Sequence, residues 1–140
     1  MGLLDRLRGR DPEDDGAAAV EAPEPPLDAE TRGAQLDALE QALRTLSRAM
    51  ADDAHIANPG WSGRVDDLRF AANEAGRLSH EGFTRADLLD LVNQVRPLYP
   101  PGLATPPAEY AAYAEMQAQV LDAVAALRAP LATEQPPDQV

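Results

Sequence analysis

The sequence of 140 residues contains no cysteine, no lysine and few aromatic residues. The absence of cysteine excludes disulfide bonds, thiol nucleophiles, cysteine-based zinc sites and iron–sulfur clusters. Because lysine is absent, all 12 basic residues are arginine, which together with abundant alanine and proline is typical of a GC-rich bacterial genome. Aromatic residues make up 4% of a chain that is 44% hydrophobic, so the core must consist of leucine, valine and alanine. This composition favours helices packed on helices.

Long hydrophobic runs are also missing from the sequence. No run approaches the roughly 18 apolar residues that a membrane-spanning helix needs. The N-terminal pair Leu3-Leu4 is followed by Asp5, which ends the apolar run too early for a secretory signal peptide. The chain is long enough for one hydrophobic core and too short for two ordinary domains. We therefore expect one domain in a cytoplasmic protein.

The net charge of −12 is concentrated in the tails of the chain. Residues 11–30 carry eight acidic residues and no basic residue, whereas residues 31–131 carry 13 acidic residues and nine arginines. The central part therefore has no basic stripe that could displace counterions from a phosphate backbone. We expect no binding to nucleic acid.

The spacing of apolar residues predicts a first helix from about Asp28 or Thr31 to Ala54. Its apolar positions alternate steps of three and four residues and so form one stripe. They are Leu36, Leu39, Leu43, Leu46 and Met50. Asn58-Pro59-Gly60 is expected to interrupt the helical pattern. A second helix is predicted over residues 62–79, and the alanines on its apolar face would let a neighbouring helix approach closely.

A third helix is predicted to begin at Thr84, because Thr84 and Asp87 have the spacing of a capping box. Its apolar residues cover most of its sides, so we expect it to lie deeper than its neighbours. A fourth helix is predicted from the cap and first-turn pair Thr105-Pro106 to Pro130. None of the 13 prolines falls in the interior of a predicted helix. The spacing of the apolar residues and the positions of the prolines agree on an all-α fold, a small four-helix bundle over residues 28–131.

The segments on either side of the bundle have compositions that do not favour a core. Residues 11–27 combine acidic residues, alanine and proline, and predict a disordered acidic linker. Residues 132–140 predict a disordered tail.

Candidate catalytic residues are few. The two histidines are His55 and His80, and Asp52 lies one helical turn before His55. A metal site in a bundle would need several inward-facing acids from more than one helix, which this pattern does not supply. No serine lies in a glycine-flanked nucleophile elbow, and the phosphate-binding glycine motifs are absent. We therefore expect no catalytic residues, no cofactor and no metal, and a protein that is not an enzyme.

The tripeptide Trp61-Ser62-Gly63, predicted between two helices, resembles the Trp-x-Gly turn of the small secreted WXG100 proteins of actinobacterial type VII systems. The resemblance implies a secretion-associated helical protein. Members of that family carry a tyrosine followed four residues later by an acidic residue, whereas Tyr110 and Tyr113 are followed at that distance by Ala114 and Gln117. The alternative is a structural role, in which Trp61 fills the open end of the bundle.

The first ten residues are predicted to be an amphipathic leucine and arginine peptide. In a helix, Leu3, Leu4 and Leu7 would lie on one side, and Arg6 would belong to the basic remainder with Arg8 and Arg10. Three leucines contribute about 1.5 to 3 kcal/mol each when fully buried, which is marginal for stable membrane residence. A groove on a protein partner is the favoured target and a membrane surface is the alternative.

Phe70 is the second predicted contact residue. It lies about 160° from Leu68 around a helix with 100° per residue, so it falls off the apolar face of the second helix. A contact with a partner and a contact with a covering loop are both consistent with this position. The resulting hypothesis is an adaptor: the bundle binds a protein partner, a larger assembly or a second copy, and residues 1–10 act as a tethered docking peptide.

Overall fold

The first helix, α1 (Ala29–Ala51), carries the centre of the core. The computed structural model describes residues 26–135, and the helix begins where the Asp28 carboxylate accepts a hydrogen bond of 3.1 Å from the backbone N–H of Thr31. The five residues of the predicted stripe are buried to 1% exposure or less. Such a stripe stabilises a helix mainly through what packs against it.

The connection after α1 shows how Asn58-Pro59-Gly60 acts. A short 3₁₀ turn (Ala54–Ala57) follows α1, and α2 then spans Pro59–Glu81. The Asn58 side chain caps α2 by accepting a bond of 2.8 Å from the N–H of Gly60, and Pro59 occupies the first helical position, where no N–H is needed. The three residues that interrupt the helical pattern therefore also start α2, three residues earlier than predicted.

Helix α2 lies antiparallel to α1, because the contacts between them run in opposite residue order. Asp37 accepts a hydrogen bond from Ser79, and the Met50 carbonyl accepts one from Trp61. The helices approach closely at Gly76, where an added Cβ would come within 2.9 Å of the Glu40 carboxylate. Small residues on α2 therefore give the close approach that its alanine-rich face predicts.

A tight turn at Gly82, which has a φ of 103°, leads to α3 (Arg85–Gln94). The capping box is confirmed: Thr84 accepts from the N–H of Asp87 at 3.1 Å, and Asp87 accepts from the N–H of Thr84 at 2.9 Å. The expectation that α3 lies deepest is wrong. Leu89 is 51% exposed, because this helix of ten residues packs on α2 and α4 only along Leu88, Leu91 and Val92.

The chain then runs through an extended segment into a 3₁₀ segment (Ala108–Tyr113) and α4 (Ala114–Arg128). The fourth helix was predicted to start at Thr105, but regular α-helix begins nine residues later. A 3₁₀ helix has three residues per turn, so Tyr110 and Tyr113 lie on the same side of it and both contact Trp61.

Arg32 fastens the start of α1 to the end of α4. Its guanidinium is buried at 3% exposure and donates to the carbonyl oxygens of Ala126, Leu127 and Ala129 at 3.0, 3.1 and 2.8 Å. These carbonyls belong to the end of α4, where backbone acceptors lack helical partners and a cation is favourable.

Leu27–Thr133 form one unit in which α1 packs against α2 and α4, and α3 packs against α2 and α4. Throughout residues 26–135 the regular structure is helical, with four α-helices. The predicted all-α bundle is confirmed for this part of the chain.

We expect Leu43→Ala to lower the free energy of unfolding by about 2 to 5 kcal/mol, because it removes a fully buried side chain from the middle of the α1 stripe. Urea denaturation followed by circular dichroism measures the change. Leu89→Ala is the matched control, because its side chain is half exposed, and it should change stability by less than about 0.5 kcal/mol. Equal losses in the two variants would contradict the assignment of the core.

We expect Arg32→Leu to lower the free energy of unfolding by about 2 kcal/mol or more, because three carbonyl oxygens at the end of α4 lose a charged donor. The stability of Arg32→Lys should lie between those of the parent and Arg32→Leu, since one ammonium group cannot reach all three carbonyl oxygens as the two guanidinium nitrogens do. The exposed Arg48→Leu controls for the loss of charge on α1. If the melting temperatures of Arg32→Leu and Arg48→Leu coincide, Arg32 does not fasten α4.

Candidate functional site

Four of the six aromatic residues gather at the corner where α1 ends and α2 begins. We call Trp61, Tyr99, Tyr110 and Tyr113 the aromatic cluster. Trp61 stacks on Tyr110 with ring centroids 5.2 Å apart, and Tyr113 meets it edge-on at 5.8 Å. Tyr99 stacks on Tyr110 with ring centroids 6.3 Å apart. The cluster thereby joins the segment between α3 and α4 to the end of α1 and the start of α2. Such ring pairs add to the energy gained by burial.

Trp61 is the centre of the cluster. It is 4% exposed, and its indole N–H donates a bond of 2.8 Å to the carbonyl oxygen of Met50, near the end of α1. A buried indole needs such a partner, and the carbonyls at a helix end need donors. Trp61 therefore has the structural role predicted for it as the residue that fills the end of the bundle.

Asp53 holds the same corner through three hydrogen bonds. Its carboxylate accepts from the backbone N–H of His55 at 2.9 Å and from the Tyr113 hydroxyl, and it lies 2.6 Å from the Nδ1 atom of the His55 ring. The N–H of His55, the Tyr113 hydroxyl and the His55 ring, in that order, lower the pKa of Asp53 to about 2. Burial and the bond to Asp53 raise the pKa of Tyr113 to about 12.

A cleft of about 440 Å³ opens beside the cluster, between His55, Arg64, Glu109 and Tyr110. Its aromatic faces already have partners: His55 stacks on Trp61 at 4.8 Å, and the Arg64 guanidinium lies 5.7 Å above the Tyr110 ring. An aromatic site for a cationic ligand would need a free ring face at this point. We assign the corner to structure.

Among the described residues, an open hollow lies along one side of α2. We call it the α2 groove, because it runs between α2 and residues 94–98, which are the last residue of α3 and the four residues after it. Its volume is about 600 Å³. Apolar side chains in its lining are Leu43, Leu68, Ala71, Val95 and Leu98. On the α2 side the wall is low, because Gly60 and Gly63 line it and neither has a side chain.

Phe70 lies beyond one end of the α2 groove. A second hollow of about 480 Å³ shares Asp67 and Ala71 with the groove and includes Phe70 and Asn93. Phe70 is 60% exposed, the most exposed large hydrophobic residue among those the structure describes. Its exposure follows from its position off the apolar face of α2. Within residues 26–135, the segment after α3 lines the same hollow without burying Phe70.

The charged residues of the α2 groove are Arg64, Asp67 and Arg96. Within residues 26–135, none of these three side chains forms a hydrogen bond or an ion pair. The groove therefore presents both signs of charge beside an apolar floor, which is the arrangement of a protein contact surface with a polar rim.

Of the predicted site residues, the structure describes only Phe70. Leu3, Leu4, Arg6 and Leu7 lie outside the described residues, so their role stays a prediction. Phe70 is in the open part of the surface, and its role in binding also stays a prediction. The acid beside His55 is Asp53 and not Asp52, because the turn after α1 breaks the helical spacing. No group of three His, Asp or Glu side chains within residues 26–135 converges as metal ligands would.

Sequence reasoning did not find the α2 groove. Gly60 and Gly63 in the first turns of α2 were a usable signal, because glycine weakens a helix and calls for a reason. The opposite wall comes from residues 94–98, which sequence spacing alone does not bring next to α2.

No protein-family model, no curated protein and no solved structure matches this chain. Trp61-Ser62-Gly63 lies inside the first turn of α2 and not between two helices. The resemblance to the WXG100 proteins therefore rests on that tripeptide alone. No helix within the described part of the chain combines the length and the apolar character needed to cross a bilayer.

We expect the gap in melting temperature between the parent and Asp53→Asn to close as the pH falls from about 4 to about 2. The folded state lowers the pKa of Asp53 from 3.8 to about 2, so the stabilisation is complete above the unfolded value and is lost as the pH falls through the folded value. Thermal melts at a series of pH values measure the gap. A gap that is the same at every pH would show that the charge of Asp53 does not stabilise the corner.

Proposed function

We propose that the chain is a non-enzymatic helical interaction module that binds a protein through the α2 groove. The observation that carries this proposal is Phe70, a large apolar side chain left 60% exposed beside an open groove with an apolar floor. Aromatic residues that pack into a partner are the usual energetic centres of protein interfaces. Asn93, Gln94 and Arg96 line the hollow beside Phe70 and still leave it 60% exposed.

The charge of the module supports a protein as its partner. The described part of the chain has more acidic residues than arginines, and its arginines do not form a stripe. Phosphate backbones and anionic lipid surfaces both require concentrated positive charge. A cytoplasmic location is part of this proposal.

A second contact is proposed for the N-terminal peptide, on the evidence of its sequence. Leu3, Leu4 and Leu7 would enter a groove on an assembly, with Arg6 at its edge. A flexible chain of about 20 residues has a root-mean-square span of about 25 Å, so a linker of the kind that the sequence predicts would let the peptide and the α2 groove engage one assembly and strengthen each other's binding. This arrangement is that of an adaptor.

We expect Phe70→Ser to reduce recovery of the bound protein in a pull-down from the cells that express the chain, while leaving the melting temperature nearly unchanged. An exposed phenylalanine contributes little to folding but much to an interface. Leu89→Ser is the matched control, because it removes a similarly exposed apolar residue from α3, outside the α2 groove. Recovery is measured by quantitative mass spectrometry against a bait-free resin.

The outcomes separate the alternatives. Equal recovery with the Phe70→Ser and Leu89→Ser baits would reject the α2 groove as the contact. A Leu4→Ser and Leu7→Ser double variant assigns what the peptide contributes. Recovery of the parent in the membrane pellet in place of a protein complex would favour the membrane alternative, and recovery from the culture medium would favour a secreted protein.

A further inference from the structure

We infer that the partner of the α2 groove is a second copy of this chain, bound with its own α2 antiparallel to the first. This inference rests on the proposed function, because it names the occupant of the same groove. The evidence is the order of four residues along α2. Gly63 and Phe70 are a pair of opposite size, and Arg64 and Asp67 are a pair of opposite charge.

The first pair of residues is a hollow and a projection. Gly63 and Phe70 lie two turns apart on the same side of α2, the first with no side chain and the second 60% exposed. A Cβ added at Gly63 would meet nothing within 4 Å, so packing inside the chain does not require glycine there. Room for a side chain from outside explains a residue that weakens the helix.

The second pair is a positive and a negative charge. Arg64 and Asp67 lie one turn apart between Gly63 and Phe70. Neither forms an ion pair within residues 26–135, although the Arg64 guanidinium lies over the ring of Tyr110. Both therefore keep the capacity to form an ion pair with a molecule that lies along α2.

A two-fold axis matches both pairs at once. In an interface between identical copies, if one residue contacts another across the axis, the second contacts the first as well. An axis near residues 65–67 places Phe70 opposite Gly63 of the second copy and Arg64 opposite Asp67 of the second copy. The midpoint between residues 63 and 70 and the midpoint between residues 64 and 67 lie one residue apart, which is about 1.5 Å along the helix. A single antiparallel alignment of α2 therefore satisfies size and charge together.

The floor of the α2 groove completes the fit. Leu68, Ala71 and Leu98 line it beside Gly63, and Phe70 of the second copy would leave water on entering there. Each copy both supplies and receives a phenylalanine. An unrelated partner would have to supply this pattern by itself, whereas the chain already carries it. Since the matching surface is small, the dimer is of the weak class.

The test is sedimentation equilibrium of the purified full chain from about 1 µM to about 1 mM, a range that covers the dissociation constants of weak interfaces. The parent should dimerise. Arg64→Asp and Asp67→Arg should each weaken the dimer by about tenfold or more, because each places like charges opposite each other. An equimolar mixture of the two variants should dimerise as the parent does, because acids on one chain then face arginines on the other.

Controls keep the result specific to this surface. Asp122→Arg makes the same change in net charge as Asp67→Arg at an exposed position of α4, outside the α2 groove, and should leave the dimer intact. Phe70→Ser should abolish it. Circular dichroism shows whether each variant is folded, and the mixture experiment stays informative even if Arg64→Asp loses some stability by leaving Tyr110.

Two results would overturn the inference: a parent that is monomeric over the whole range, or a mixture that associates no more than its separate components. The proposed function fails differently. If the parent is monomeric while Phe70→Ser still loses a different protein in the pull-down, the α2 groove is a contact surface and only its occupant is wrongly named. If Phe70→Ser changes neither measurement, both fail.

Discussion

The apolar stripe of α1 is the surface on which both α2 and α4 pack. With few aromatic residues available, the core depends on side chains of moderate size that fit closely, and the stripe is buried almost completely. Close fit in turn requires small residues on the facing helix, which α2 supplies as alanines and Gly76. Of the large apolar side chains in the described residues, the most exposed are Phe70, Leu89 and Leu103.

The ends of the bundle are held by directional contacts and not by the stripe. At one end, Arg32 binds the last carbonyls of α4. At the other end, the aromatic cluster and Asp53 join the end of α1 to the 3₁₀ segment before α4. Each contact satisfies backbone or side-chain groups that a helix end would otherwise leave without partners. The long segment between α3 and α4 is tolerated because the aromatic cluster holds it against α2.

Local signals in the sequence predicted most of the fold. The stripe of α1, the capping box at Thr84 and the exposure of Phe70 depend on residue spacing within one helix, which the chain displays directly. Arg32, Asp53 and the α2 groove could not be predicted, because their partners lie far away in the sequence. The depth of α3 was misjudged for the same reason: its apolar residues were counted without knowing that α1 would take the central position.

The aromatic cluster has a consequence for spectroscopy. Trp61 is the single tryptophan of the chain, and it lies between His55 and two tyrosines with its N–H bonded to a backbone carbonyl. Its fluorescence therefore comes from one known location, where the end of α1 meets the 3₁₀ segment before α4, and exposure to water would shift the emission to longer wavelength. The chain thus contains an intrinsic optical probe of this corner, which distinguishes local opening there from loss of helix elsewhere in the bundle.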